Sequence, residues 1–211
     1  MEYLDNFKIE NKYNIQSNAQ LNQDIWVLER NHNKQHGYYI DIGSADGEEI
    51  SNTYLLDKSG WNGLCIDLLA RNMENRTCNI HKGLVYDTEK EVEFVKADFN
   101  SDFSGIKSNI TKFKDHLTTS PVETHKTQIT QSVFNTYNVP TFVDFLSIDV
   151  EGSELHILQG IDFNKHIFGI IMIEHNFQQP LRDEIRSFLK QKNYKYETSN
   201  QWDDIYVYNM F

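Results

Sequence analysis

Apolar positions along the chain recur with two periods, one helical and one extended. Leu21, Ile25 and Leu28 lie at helical spacing and predict a first helix, with Asn18 or Asn22 as its cap. Tyr38-Tyr39-Ile40-Asp41-Ile42 is a short β-prone run that stops at Gly43, and a helical stretch is expected from Gly47 to about Lys58. The cycle then repeats: Ser59 to Gly63 reads as a turn, Leu64-Cys65-Ile66 as a buried strand ending at Asp67, and 68–76 as a helix. A third strand is expected within 81–86, and 91–97 reads as an exposed strand or hairpin arm. Residues 98–120 show no sustained period, and a stretch that long predicts either a lid over a site or a set of short turns. A helix resumes near Thr130 and ends before Pro140. The run 142–148, interrupted by Asp144, suits a central strand; it empties into Asp149-Val150-Glu151-Gly152-Ser153-Glu154 and a short helix closed by Gly160. A second central strand over 167–173 ends in Glu174-His175-Asn176, and Pro180 opens a helix with Leu181, Ile185, Phe188 and Leu189 on one face. Two closing strands, 194–196 and 204–208, read as an antiparallel hairpin.

Strand, glycine turn and helix in alternation predict an α/β fold: a central, mostly parallel sheet with helices on both faces and an antiparallel edge hairpin. A length of 211 residues supports one core. The expected division is an N-terminal helical extension over 1–36 and a main domain over 37–211, with 98–120 as a lid or specificity insertion. The first dozen residues are expected to wrap the domain rather than join its sheet. The 20 Lys and Arg against 31 Asp and Glu leave a net charge of -11, and no basic run clusters, so a nucleic-acid partner is not expected. Cys65 and Cys78 are too few for a disulfide scaffold or a thiolate metal site. No apolar stretch approaches membrane-spanning length and no leader pattern opens the chain, so the expectation is a cytoplasmic protein with no membrane partner.

The candidate chemistry sits at the strand ends, where open α/β sheets bind ligands. The loop from Asp41 to Gly47 lacks the Lys-Ser or Lys-Thr pair of a triphosphate site and the third-glycine spacing of a dinucleotide fingerprint. It suits a ligand with a sugar and a positive charge, and Asp67 at the second strand end can accept ribose hydroxyls. Gly43 and Gly47 read either as turn glycines or as openings for that ligand. Gln23 and Asp24 either reach over the cofactor or anchor the first helix. Asp149 is expected to face the crevice, while Glu151 or Glu154 caps backbone amides. His175 is the preferred general base for an acceptor hydroxyl. The second route is Mg²⁺ or another divalent ion held by Asp149, Glu174 and His175. His81, His116, His125, His156 and His166 have no comparable neighbourhood. Tyr39 and Trp61 read as core, and Trp202 as an acceptor wall or a packing residue.

These segments resemble, in order, the FkbM family of S-adenosylmethionine-dependent methyltransferases. The resemblance spans roughly 21–208 and rests on Asn22-Gln23-Asp24, Tyr39 to Gly47, Ser51-Asn52-Thr53 and Gly60 to Asp67. Its most specific piece is Phe145 to Glu154, supported by Ile173-Glu174-His175-Asn176 and Trp202 to Val207. The family usually carries Glu-Pro where this chain has Asp67-Leu68, and more often Ala where Ser44 stands. The resemblance implies a Rossmann-like class I methyltransferase fold. Around S-adenosylmethionine it implies Asp41, Gly43, Ser44, Asp46 and Gly47 at the methionine and ribose parts, Asn52 and Thr53 at the amino-acid end, and Asp67 at the ribose. Asp149, Glu174 and His175 are the catalytic set expected from the strand ends. The implied reaction is O-methylation of a sugar, glycan or other small hydroxylated metabolite. The alternatives are a non-catalytic nucleoside-binding module and a nicotinamide-dependent oxidoreductase.

Overall fold

The computed structural model describes residues 16–97, 101–110, 115 and 117–210. The expectation for the first dozen residues, and the parts of the 98–120 expectation that fall on 98–100, 111–114 and 116, lie outside the described residues. The first half runs α1 (Gln23–Arg30), β1 (Tyr38–Ile42), α2 (Tyr54–Lys58), β2 (Asn62–Ile66), β3 (Asn79–His81), β4 (Leu84–Tyr86) and β5 (Glu91–Val95). After a 3-10 turn at Ser101–Phe103 come β6 (Gly105–Ile106), β7 (Val122–Ile129), α3 (Thr130–Thr136) and β8 (Phe142–Ile148). The chain closes with α4 (Glu154–Gln159), β9 (Ile167–Glu174), α5 (Leu181–Gln191), β10 (Tyr194–Asn200) and β11 (Asp203–Tyr208).

Two mixed sheets carry these elements. The larger has seven strands in the order β10-β11-β9-β8-β1-β2-β3. Its five strands β3, β2, β1, β8 and β9 are mutually parallel; β11 runs antiparallel to β9, and β10 antiparallel to β11. The expected edge hairpin is therefore present. β1 sits between β2 and β8, with Ile40 opposite both Leu64 and Leu146, so the crossovers diverge on either side of it. At such a switch point the strand ends splay and leave a crevice.

Alternation along β1 sends Ile40 and Ile42 to one face and Tyr39 to the other. On the first face they pack with Val133 and Phe134 of α3, Ile157 and Leu158 of α4, and Ile185 and Leu189 of α5. On the opposite face Tyr39 joins Val27 and Leu28 of α1, Leu56 of α2, Trp61 and Phe145. Tyr39 and Trp61 are thus core residues, fully buried as their size favours. Asp144, the polar interruption in β8, accepts from Lys34 Nζ at 2.6 Å and from the Tyr38 amide at 2.9 Å, which satisfies its carboxylate where β8 begins.

The second sheet has four strands in the order β4-β7-β5-β6. The expected strand over 81–86 is split by Gly83: β3 extends the large sheet and β4 pairs with β7 in the small one. The expected hairpin arm is β5, antiparallel to β7 and β6. Within 98–120, Gly105–Ile106 is a strand and Ile106, Ile110 and Leu117 are buried, so its described part is built into the fold.

The helix expected over 68–76 is absent. Its backbone is drawn to the glycine loop instead: the Leu69 amide donates to Asp67, the Arg71 amide to the Ala45 carbonyl, and Asn72 takes a left-handed φ of 53°. The helical stretch expected after Gly47 begins only at Tyr54. Asn22 precedes α1 without a side-chain capping bond, so that expected cap is not made. Among the described residues, no helix is long and apolar enough to cross a membrane.

Candidate active site

The loop leaving β1 is fixed by backbone bonds to both neighbouring strand ends. The Gly43 amide donates to Ile66 O at 2.9 Å, and the Asp149 amide donates to Ile42 O at 2.9 Å. Gly43 has φ +85°, and a Cβ there would stand 1.7 Å from the Asp149 carbonyl oxygen. A Cβ on Gly47 would stand 2.4 Å from Asn72 O. The missing side chains thus admit neighbouring backbone, as expected of turn glycines, and Gly43 also borders the cavity described below. Asp67 lies at the end of β2 and anchors the loop: its Oδ2 accepts from the Ala45 amide at 3.0 Å and its Oδ1 from the Leu69 amide at 2.5 Å. Burial raises its pKa against those two bonds. Ser44 Oγ is buried with no hydrogen-bond partner among the described residues.

Asp46 holds the next turn. Its Oδ1 accepts from the Glu48 and Glu49 amides, both at 2.9 Å, and its Oδ2 from Asn72 Nδ2 at 2.6 Å, with Arg71 Nε at 3.2 Å. These bonds lower its pKa although desolvation opposes them. Asn52 donates from Nδ2 to Ser147 Oγ at 3.1 Å. Thr53 does not cap α2 with its side chain; its Oγ1 donates to Asp41 Oδ2 at 2.6 Å. Burial pushes the Asp41 pKa up to about 6.

Arg76 supports this group from behind, a role the sequence reading missed. Its guanidinium is buried with Asp57, Nε to Oδ2 at 2.7 Å, and both side chains are 0% exposed. It also donates to Gly47 O at 2.9 Å, Ser51 Oγ at 3.3 Å, and Tyr39 Oη and Thr53 Oγ1 at 2.8 Å each. One fork thereby ties the glycine loop, the start of α2 and the Thr53–Asp41 bond together. The only sequence signal was an arginine closing an expected helix, which points to solvent rather than to a buried fork.

Between the strand ends and the small sheet lies a partly open cavity. One wall is Gly43, Ala45, Asp67, Leu68 and Asp149; the opposite wall includes Leu84, Phe94, Ser104 and Ile106. Arg71 at its edge pairs with Asp102 at 2.7 Å. A mostly apolar slot with a few convergent polar groups is the usual form of a small-ligand site.

Asp149 joins this cavity to an acidic cluster. One oxygen each of Asp149, Glu151 and Glu174 lie within 4.8 Å of one another. Burial, reinforced by the Asp149 carboxylate and a hydrogen bond to it, pushes the Glu174 pKa up to about 12. Asp203 opens β11 beside Glu174, accepts from Gln23 Nε2 at 2.7 Å, and is pushed by burial to about 7. Glu154 accepts from the Gly152 amide at 2.9 Å, the amide-capping role expected of one acid here, and burial pushes it to about 7. Asp24 accepts from Ser17 Oγ at 2.6 Å and from the Ile25 amide at 2.8 Å, which anchors the start of α1.

His175 points elsewhere. Its side chain is 1% exposed, Nδ1 accepts from the Phe177 amide at 2.9 Å, and Nε2 faces Asp204 Oδ1 at 3.5 Å. Asp204 is itself gripped by Arg182, Nη2 to Oδ1 at 2.7 Å and Nε to Oδ2 at 3.0 Å. Neither His175 nor the half-buried Trp202 lines the cavity.

Comparison with curated proteins and with solved structures gives no match. The family model described as the methyltransferase FkbM domain matches residues 41–196, which carry every cavity-lining residue and the ends of β1, β2, β8 and β9. The chain therefore belongs to the FkbM family and is an enzyme of the S-adenosylmethionine-dependent methyltransferases.

Proposed function

We propose that the protein is an O-methyltransferase that binds S-adenosylmethionine in the cavity and methylates a hydroxyl of a sugar, glycan or other small hydroxylated metabolite. The carrying observation is one cavity that meets the ends of β1, β2 and β8 at Gly43, Asp67 and Asp149. The donor set fits the cofactor chemically: apolar Leu68, Leu84, Val85 and Phe94 for a base, Asp67 for ribose hydroxyls, and Asp149 for the positive end. Ser44, with its buried hydroxyl beside this wall, would complete the polar contacts, while Asp41, Asp46, Gly47, Asn52 and Thr53 keep the loop in shape. In this reading the large sheet is a Rossmann-like class I methyltransferase sheet, 37–211 is the catalytic domain, 1–36 its extension, and 98–120 the segment that selects the acceptor.

S-adenosylmethionine would supply a methyl carbon made electrophilic by its sulfonium. The chain must then orient a hydroxyl in line and take its proton. Glu174, pushed to about 12, stays protonated near neutrality and donates to Asp149, leaving the Asp149 carboxylate to receive the hydroxyl proton. His175, first expected to be the base, becomes in this reading the residue that fixes the end of β9 through Phe177 and Asp204. A second reading is favoured by the proximity of Asp149, Glu151 and Glu174: the three would hold Mg²⁺, with Glu151 in place of His175 as ligand.

The net charge of -11 supports a neutral or cationic acceptor over nucleic acid. A chain with only two cysteines suits a cytoplasmic setting. Isothermal titration with S-adenosylmethionine and its demethylated product tests the cofactor step, and folded protein that binds neither defeats the proposal. Methyl-labelled cofactor offered with nucleotide sugars, aminosugars and glycans, with and without Mg²⁺, tests the rest. Label on a sugar oxygen supports the acceptor class, and chelator-sensitive turnover supports the metal reading.

A further inference from the structure

Cys65 and Cys78 are 13 positions apart in sequence, yet their sulfurs lie 3.4 Å from each other. Cys65 is fully buried on β2, and Cys78, just before β3, is half-buried. The two residues differ in access, Cys65 being enclosed and Cys78 half-buried, and the electrostatic shifts run the same way. Burial and the contact with Cys78 hold the Cys65 thiol protonated, raising its pKa well above the ordinary value. The hydrogen bond between the two sulfurs, with further help from Tyr39 and Arg76, lowers the Cys78 pKa against the opposing effect of burial. A sulfur on a half-buried residue, favoured as thiolate and in contact with a buried protonated thiol, is the arrangement of a redox pair.

We propose that Cys65 and Cys78 are a modification site that closes to a reversible disulfide on meeting a hydroperoxide. The Cys78 thiolate attacks the peroxide: an S–O bond forms, the O–O bond breaks, and hydroxide leaves, taking up a proton as water. The Cys65 sulfur then attacks the Cys78 sulfur: the S–S bond forms, the S–O bond breaks, and the departing hydroxide leaves as water with the Cys65 proton. Two thiols are oxidised and one peroxide is reduced to two waters. The closure acts next to the cofactor loop, because Cys78 follows Arg76 by two residues and Arg76 donates to Gly47 O and Thr53 Oγ1. Drawing Cys78 toward β2 shifts that fork.

The test treats the full reduced chain with stoichiometric hydrogen peroxide, followed by non-reducing peptide mapping. The expected result is loss of both titratable thiols, a peptide cross-linked through Cys65 and Cys78, and recovery of both thiols with dithiothreitol. Cys65→Ser should give no cross-link and a sulfenic acid at Cys78 that dimedone traps. Amide hydrogen exchange across 47–53 should rise roughly tenfold on oxidation, the scale of one lost charge-assisted hydrogen bond. Two thiols left intact, or oxidation that only links separate molecules, overturns the site. Unchanged exchange in the cross-linked protein overturns its link to Arg76. None of these readouts depends on cofactor binding.

Discussion

Replacing Arg76 with methionine tests whether the site is held from behind by one buried fork. The substitution keeps much of the aliphatic stem but removes five hydrogen bonds, including the ion pair to Asp57. Breaking a buried pair costs about 3–5 kcal/mol because the surviving charge is left uncompensated. Asp57 keeps its bonds to the Thr77 amide, at 3.0 Å, and hydroxyl, which moves the charge penalty to the low end, about 3 kcal/mol. The Gly47 carbonyl is also left without this donor, adding about 1 kcal/mol. The expected loss is therefore about 4 kcal/mol, a large share of the roughly 5–15 kcal/mol that stabilises an ordinary domain. For a chain of this size the melting temperature should fall by about 8–16 °C. Urea unfolding with an unchanged m-value measures the loss, and calorimetry checks the temperature. Adding Asp57→Asn to Arg76→Met removes the stranded charge and should recover about 1 kcal/mol or more. A loss below about 1 kcal/mol, or no recovery in the double variant, would refute the buried-fork account.

Asp67→Ala should weaken S-adenosylmethionine binding roughly tenfold or more and lower stability by about 1–3 kcal/mol, since the Ala45 and Leu69 amides lose their acceptor; titration of the folded variant decides, and unchanged affinity rejects the ribose role. Because the folded protein holds a Glu174 proton that the unfolded chain releases above its ordinary value near 4.5, that group costs stability increasingly as pH rises toward about 12. Glu174→Gln should therefore stabilise the protein at pH 8 and not at pH 4, and an equal difference at both values in urea titrations would reject the assignment. Gly43→Ala puts a Cβ 1.7 Å from the Asp149 carbonyl at φ +85° and should cost about 3 kcal/mol or more. Gly60→Ala, with the same φ and no atom within 4 Å, should cost only about 1–2 kcal/mol, so equal losses by thermal unfolding would remove the backbone-contact argument.

The strand ends were legible because buried parallel strands read as apolar runs and stop where the chain turns polar: β1, β2, β8 and β9 each end within a residue or so of the expected place. The small sheet was not legible. β7 reads Val-Glu-Thr-His-Lys-Thr-Gln-Ile and only Thr127 is buried, so no hydrophobic period marks it. The stretch 68–76 has helical spacing, but side-chain and backbone bonds to the glycine loop outweigh that local preference. Aspartates at the ends of β1, β2 and β8 could be found from the pattern. Their partners could not: Arg76 comes from an irregular segment, and Gln23 meets Asp203 across 180 positions of sequence. His175 shows the converse limit, since adjacent residues at a strand end point different ways and the sequence cannot say which one faces inward.

The contact of Gly43 with the Asp149 carbonyl has a mechanical meaning. The two loops touch backbone to backbone, with no side chain between them to yield, and the Asp149 amide is bonded to Ile42. Compliance in protein interiors comes mainly from side chains that change rotamer, and here that source is missing. The wall that bears Ala45, Asp67 and Asp149 therefore behaves as one plate, so a small molecule settling against it meets a surface whose shape is already set.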